Sequence, residues 1–561
     1  MTPAAPGPAP APAAPAPGGG EAERVAVRAA VFTHLAGLVV APTISALWER
    51  GALDPLVDAR GPVGFDDLVE RTHANRGYLR VALRLLLALG WLAEEPAGAG
   101  AYQLTRRGRI AMTLAPPLYA ELTAYFLPRA LYLEESLFAT ADEATTVPVV
   151  SLLRELVQRA RDGWRIALHD DTVTATVRDQ VRGHLDGMVI GPAIVALART
   201  GLLDRLADGP VDPAQLPGHP AMLASVIDLL VARGWAIRSG TTVALTPAGR
   251  YAAQIASAYG VTVSYLPTFA MLPTLLFGNP RIPRIDPSGF ELLVNRAMNV
   301  WGSGGAHRTY FKRLDQIVIE IFNRPIEQQP RGICDMGCGD GTLLAHLYGV
   351  ISDHTLRGQL LERHPLIVVG ADFHKVARRA TKQTLRQAGV PAFHVIPGDI
   401  NRPAQLAGDL EALDLDVHEL LHIRSFLDHN RPYTRLASYL PGTRTARTSG
   451  AFAYLGDEIP RDELEENLVR HLRRWAPYIA RFGLLVLELH TLPTELTAAH
   501  LDRTPAVAYD GTHGFSDQYL VELPVFLACA REAGLRASDR LYAAFPPSDL
   551  ATVSLSYFTA S

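Results

Sequence analysis

A chain of 561 residues is too long for one hydrophobic core, and its 48% hydrophobic and 20% charged residues are the composition of a globular protein of several domains. The net charge of -4 carries no overall bias towards nucleic acid, and three cysteines, Cys334, Cys338 and Cys529, are too few for a disulfide framework. No uninterrupted apolar run reaches the ~18 to 20 residues that cross a bilayer, so a cytoplasmic protein with no membrane or nucleic-acid partner is expected.

The first twenty residues, MTPAAPGPAPAPAAPAPGGG, lack a positive n-region and a continuous apolar h-region and read as a disordered tail over 1–20. The chain then repeats itself. The stretch from His34 to Leu47, HLAGLVVAPTISAL, matches HLDGMVIGPAIVAL from His184 to Leu197 at an offset of 150 residues, and LLLALGW ending at Trp91 matches DLLVARGW ending at Trp235. Helix, turn, second helix and two short strands follow in each copy, the order of a winged helix. Winged-helix-like repeats are therefore expected over 21–119 and 177–290, with a helical connector over 120–176. In GYLRVALRLLLALGWL only Arg80 and Arg84 are basic, too few for a helix that reads DNA. A packing or lid role is expected instead, with a homodimer through this region.

Behind the repeats comes ICDMGCGDGTLL, residues 333–344. A short apolar run ends in Asp335, a turn carries Gly337, Gly339 and Gly341, and a breaker-free helical pattern follows. The spacing is DxGxGxG, neither the GxGxxG dinucleotide fingerprint nor a P-loop, and its acids would repel a phosphate. They suit a ligand with amine and hydroxyl donors and a sulfonium charge. Two more apolar runs end in acids: LIVVGAD at Asp372, followed by Phe373 and placed for ribose hydroxyls, and AFHVIPGD at Asp399, followed by Ile400 and placed for an adenine amine. Together these point to S-adenosylmethionine bound by Asp335, Gly337, Gly339, Gly341, Asp372, Phe373, Asp399 and Ile400.

From about Phe290 onward, NVWGSGGAH (299–307), the run leading into GICDMGCGDG, RSFLDHNRPY (424–433) and YDGTHGFSDQY (509–519) occur in order. This half resembles the methyltransferase domains of polyketide synthase loading modules, as in the apratoxin A assembly line. The resemblance implies an α/β fold, a Rossmann-like class I methyltransferase core over 291–561 behind a mostly helical lid. It also implies methyl transfer to the alpha carbon of an acyl group such as malonyl, carried by an acyl carrier protein, and in some members a mononuclear iron or similar metal. The chain stops after the core, so an enzyme acting in trans on a carrier-bound or free acyl substrate is expected.

Carbon methylation needs an enolate, which a Lewis-acid metal or a base can provide. Histidines with an oxygen donor and open positions suit iron(II) or manganese(II), and His429, His490 and His513 with Gln518 are the preferred set. Alternatively one of these histidines is a plain base. His429 is the leading catalytic candidate, with Asp428 and Asp510 as partners orienting the imidazoles and Arg424 as a clamp for a substrate carboxylate. His422, inside an apolar run, reads as a core histidine. Trp301 and His307 read as a segment closing over the ligand or as a linker turn. A metal-free O-methyltransferase for a hydroxylated small molecule is the first alternative function, and a DNA-binding regulator that senses the cofactor is the second.

Overall fold

The computed structural model describes residues 20–560 apart from 96–99, 139–142, 168–170, 288–290 and 441–443; the tail through residue 19 and the His307 side chain lie outside it. Two long helices organise the front half, α1 (Glu21–Glu49) and its repeat α3 (Thr172–Arg199). Each is apolar over most of its length because each is buried on nearly all sides, α1 from His34 to Leu47 without a break. By length and composition both are apolar enough to cross a membrane, but most of each apolar window is packed inside the fold.

They cross where their glycines coincide. A Cβ on Gly37 would stand 2.3 Å from the His184 carbonyl oxygen, and one on Gly187 would stand 2.2 Å from that of His34. The flanking contacts are reciprocal too. His34 Nδ1 lies 2.6 Å from Tyr259 Oη while His184 Nδ1 lies 2.7 Å from Tyr119 Oη, and the two imidazoles neighbour Trp235 and Trp91 respectively. Residue i of one copy meets j of the other and j meets i, which is the pattern of a two-fold interface. Here it lies within one chain.

Each repeat carries its second helix, α2 (Arg76–Ala88) and α4 (Pro220–Ala232), and a strand pair, Leu92–Glu94 with Ala101–Leu104 and Ala236–Ser239 with Thr242–Leu245. The face of α2 that would have to enter a DNA groove is turned into the second half of the molecule. Arg84 is 4% exposed; its Nε donates to Asp510 (2.8 Å) and its other nitrogens to Ser449, Thr491 and Leu492, while Arg80 pairs with Glu458.

The halves are joined by α5 (Arg296–Phe322), which absorbs NVWGSGGAH as helix rather than as a turn or closing loop. Gly302 sits against Gly260, where a Cβ would fall 2.6 Å from backbone, so these glycines permit close helix packing. Trp301 packs with them on the lid side.

The core follows as β1 (Gly332–Met336), α6 (Thr342–His354), β2 (Ile367–Asp372), β3 (Phe393–Pro397), β4 (Leu420–Ser425), α7 (Arg461–Trp475), β5 (Leu484–Leu489), α8 (Ala506–Gly514), β6 (Leu535–Phe545) and β7 (Val553–Ala560). They form one sheet in the order β6-β7-β5-β4-β1-β2-β3. All pairings are parallel except those of β7, antiparallel to both β5 and β6. β1, β2, β4 and β5 are almost wholly buried, as their unbroken apolar runs require when helices cover both faces. Strand order reverses between β1 and β4, and ligands bind such sheets at the carboxyl ends of the strands beside that point.

Candidate active site

At the end of β1 the chain turns through Gly337, Gly339 and Gly341 at φ 84°, 55° and 82°, a conformation that only glycine adopts freely. Packing also excludes a side chain at two of them: a Cβ on Gly337 would strike Leu427 and one on Gly341 would strike Thr381, both at 2.9 Å. Over Gly339 there is open space, so a ligand can approach bare backbone. Asp372 is held at the end of β2, accepting from Gly339 N (3.1 Å) and His374 N (2.8 Å). Asp399 accepts from Asn401 N (2.9 Å), and the buried Ile400 accepts from Trp475 Nε1 through its carbonyl (2.7 Å). Phe373 is largely exposed beside the turn.

Asp335 is 2% exposed and its Oδ1 has no hydrogen-bond partner. Burial, and then the Asp372 carboxylate, push its acid constant up to about 7. An unmet buried acceptor, a bare glycine backbone and two further carboxylates suit a ligand with a cationic amine and ribose hydroxyls. The group expected from the sequence, S-adenosylmethionine, fits these residues.

The histidines sort differently from expectation. His429, just past β4, has Nδ1 2.5 Å from Glu488 Oε1 at the end of β5, and its backbone N–H donates to Glu488 Oε2 (3.1 Å). Leu489 N also donates to this carboxylate (2.6 Å). Glu488, 1% exposed, therefore fixes the imidazole with Nδ1 as donor and leaves Nε2 as the basic nitrogen. The His513 ring stands edge-on to that of His429, centroids 5.0 Å apart, with its own Nδ1 donating to the Tyr509 carbonyl (2.7 Å). Burial, with His429 adding to it, lowers the His513 constant to about 3, so this ring stays neutral. Between β4 and this pair, Phe426 holds φ 53°, a strained value for an aromatic residue, and its ring neighbours Tyr310.

The orienting role expected of Asp428 belongs to Glu488. Asp428 turns the other way, to the Arg424 guanidinium and to His471 Nε2 (3.0 Å); burial pushes its acid constant up, but the Arg424 charge and the hydrogen bond with His471 more than offset this and hold it at about 2. Arg424 is 1% exposed, ion-paired with Asp428 and stacked over Trp475 at 4.5 Å, so it is not placed to clamp a substrate carboxylate. Asp510 likewise holds Arg84 and Thr491 rather than His513. His422 is a core histidine bonded to the Val417 carbonyl (3.0 Å).

The four-residue metal set is not assembled. Both ring nitrogens of His490 are engaged, Nδ1 with the Val521 carbonyl (3.3 Å) and Nε2 with Ser554 Oγ (2.8 Å), so it has no lone pair for a metal beside His429 and His513. Gln518 donates its amide to Tyr265 Oη (2.7 Å) and Ser516 Oγ (3.1 Å). Among the described residues no group of three or more His, Cys, Asp and Glu could hold a metal ion. Glu488 carried one sequence signal, being the only acid in LLVLEL; Tyr265, which reaches Gln518 from the lid, carried none.

Three family descriptions match the chain in order: AprA N-terminal domain over residues 27–94, AprA winged helix domain over 186–279 and AprA MT2-like domain over 291–556. The chain is 28% identical over 213 residues to the 2-ketoarginine methyltransferase of Streptomyces arginensis, covering 36% of this chain and 58% of that protein. It thus spans little more than half the length of this curated relative. Among solved structures it is similar to the mitomycin 7-O-methyltransferase MmcR (14% identity, TM-score 0.41, covering 69% of this chain and 98% of that one). PigF with SAH is another (14% identity, TM-score 0.39, covering 68% and 99%). At such TM-scores the fold rests on the strand order above. The three AprA matches decide the matter: the chain belongs to the S-adenosylmethionine-dependent methyltransferases of the AprA type.

Proposed function

We propose that this protein transfers a methyl group from S-adenosylmethionine to the alpha carbon of an enolisable acyl substrate in natural-product biosynthesis, a carrier-bound or free acyl group such as malonyl. The observation that carries this reading is the buried His429–Glu488 pair at the ends of β4 and β5, beside the strand whose turn fits the cofactor. Bound cofactor supplies an electrophilic sulfonium methyl. His429 Nε2 takes the proton from the carbon next to the carbonyl, and Glu488 stabilises the imidazolium that forms. The neutral His513 ring, edge-on to His429, offers a further lone pair to a donor on the substrate. The relative named a 2-ketoarginine methyltransferase supports the substrate class, since in a 2-keto compound the acidic C–H is the one beside the carbonyl.

The second reading is O-methylation of a hydroxylated small molecule, favoured by the same pair, because a carboxylate-held imidazole can also deprotonate a hydroxyl. Metal assistance stays a proposal for His429, His513 and Gln518. Intact-mass measurement of malonyl-loaded carrier protein, after incubation with enzyme and S-adenosylmethionine, tests all three. The expected result is a gain of one methyl's mass on the acyl group that survives in chelator. A gain only with added ferrous or manganese ion assigns the enolate to a metal. No gain in any arm, with cofactor still bound, overturns the malonyl reading and favours the hydroxylated substrate.

A further inference from the structure

On the outer face of α7 lies a groove of about 460 Å³, walled on one side by Pro432 and Thr434 and on the other by Asn467, Arg470, Arg473 and Arg474. Arg470 is matched by Glu466 (2.7 Å). Arg473 reaches only the Glu532 carbonyl (3.2 Å) and Arg474 only the Asn401 side-chain oxygen (3.4 Å), so among the described residues neither guanidinium has a carboxylate partner. Two arginines without a carboxylate partner in one concavity favour a phosphate-type anion.

The groove is tied to the reacting centre. Its wall continues the loop that carries His429, and Pro432 follows His429 by three positions, at most about 11 Å of backbone. Arg431, buried beneath, bonds Asn467 (2.8 Å), and Asn467 donates to the Thr434 carbonyl (3.3 Å), so the wall is pinned to α7. Asn401, next to the proposed adenine position, bonds the Pro432 carbonyl (3.1 Å).

We propose that this groove binds the phosphate of a phosphopantetheine arm, whether carried by a carrier protein or by coenzyme A, while the acyl end reaches His429. The proposal rests on the reading of the substrate as an acyl thioester. Its test uses the full chain and the double substitution Arg473→Ala/Arg474→Ala, both on the exposed face of α7. Calorimetry first compares coenzyme A with phosphate-free pantetheine, without turnover. The double variant is expected to weaken coenzyme A at least tenfold and to leave pantetheine unchanged. Equal coenzyme A affinity in the two proteins overturns the groove.

Turnover then compares malonyl carrier, malonyl-coenzyme A and malonyl-N-acetylcysteamine. KM is expected to rise about tenfold for the phosphate-bearing substrates only, with kcat held, and whichever of the two is affected more is the natural source. Uniform change across all three overturns the groove. Methylation of none of them, with arginine-dependent coenzyme A binding intact, supports the groove and sinks the malonyl-substrate reading instead.

Discussion

Asp335 and Glu488 are two buried carboxylates with opposite surroundings. Asp335 has one oxygen without a partner and a proton constant near 7; burial and the neighbouring Asp372 disfavour its charge. A carboxyl raised in the folded state binds more protons there than in the unfolded chain, so its contribution to stability falls as pH rises from about 4 to about 7. A cationic cofactor reverses the preference and favours the ionised form. The ionised fraction of a group titrating near 7 rises about tenfold between pH 6 and pH 8. Cofactor affinity by calorimetry is expected to rise towards that limit over this range, and to lose the trend in Asp335→Asn. For Glu488, the substitution to Gln leaves the shape but not the charge that holds the His429 proton. Single-turnover methylation is expected to slow by about 10²-fold or more, with cofactor affinity within twofold. A loss of cofactor binding instead would make Glu488 structural. Asp428 and His429 show why spacing misassigned the partners: adjacent in sequence within one short turn, they leave it towards different elements, α7 and β5.

Helix α1 and its repeat α3 are apolar for a reason the pattern does not distinguish from a membrane span: each buries the other. Their close approach depends on Gly37 and Gly187, where a methyl group would meet backbone, which cannot rotate away. Gly187→Ala is expected to cost about 1 to 3 kcal/mol in a denaturant titration. Gly349→Ala on α6, where a Cβ meets nothing within 4 Å, is the control and is expected to be neutral or stabilising by about 0.5 to 1 kcal/mol. Equal effects at the two sites would show that the crossing is not tight. The second helix of the first repeat has the order of elements of a DNA reader, yet Arg84 spends its charge on Asp510 inside the molecule. Its periodicity was legible; the surface it would meet was not.

At the scale of the whole molecule, the duplication supplies in one chain the self-complementary face that two copies would otherwise share. That face is covered within the chain, so the homodimer expected through the repeats would have to use another of their surfaces; light scattering decides, with one chain's mass, 60.8 kDa, the outcome expected if the covered face was the dimerising one. A mass of two chains would require a different interface. The glycine turn and the three strand-end acids were readable in order because each depends on local needs: positive φ, an apolar strand and the acid that ends it. The duplication was readable because a repeat is a property of the string. Which histidines share a site was not, since His429 meets Glu488 across 59 residues and His490 turns to β7 across 64. Nor was the lid's grip on the core, Tyr265 to Gln518 and Arg84 to Asp510, across 253 and 426 residues. Local conformation follows from neighbours in the chain, whereas partners of a side chain follow from packing, and packing is settled only when the elements close on one another.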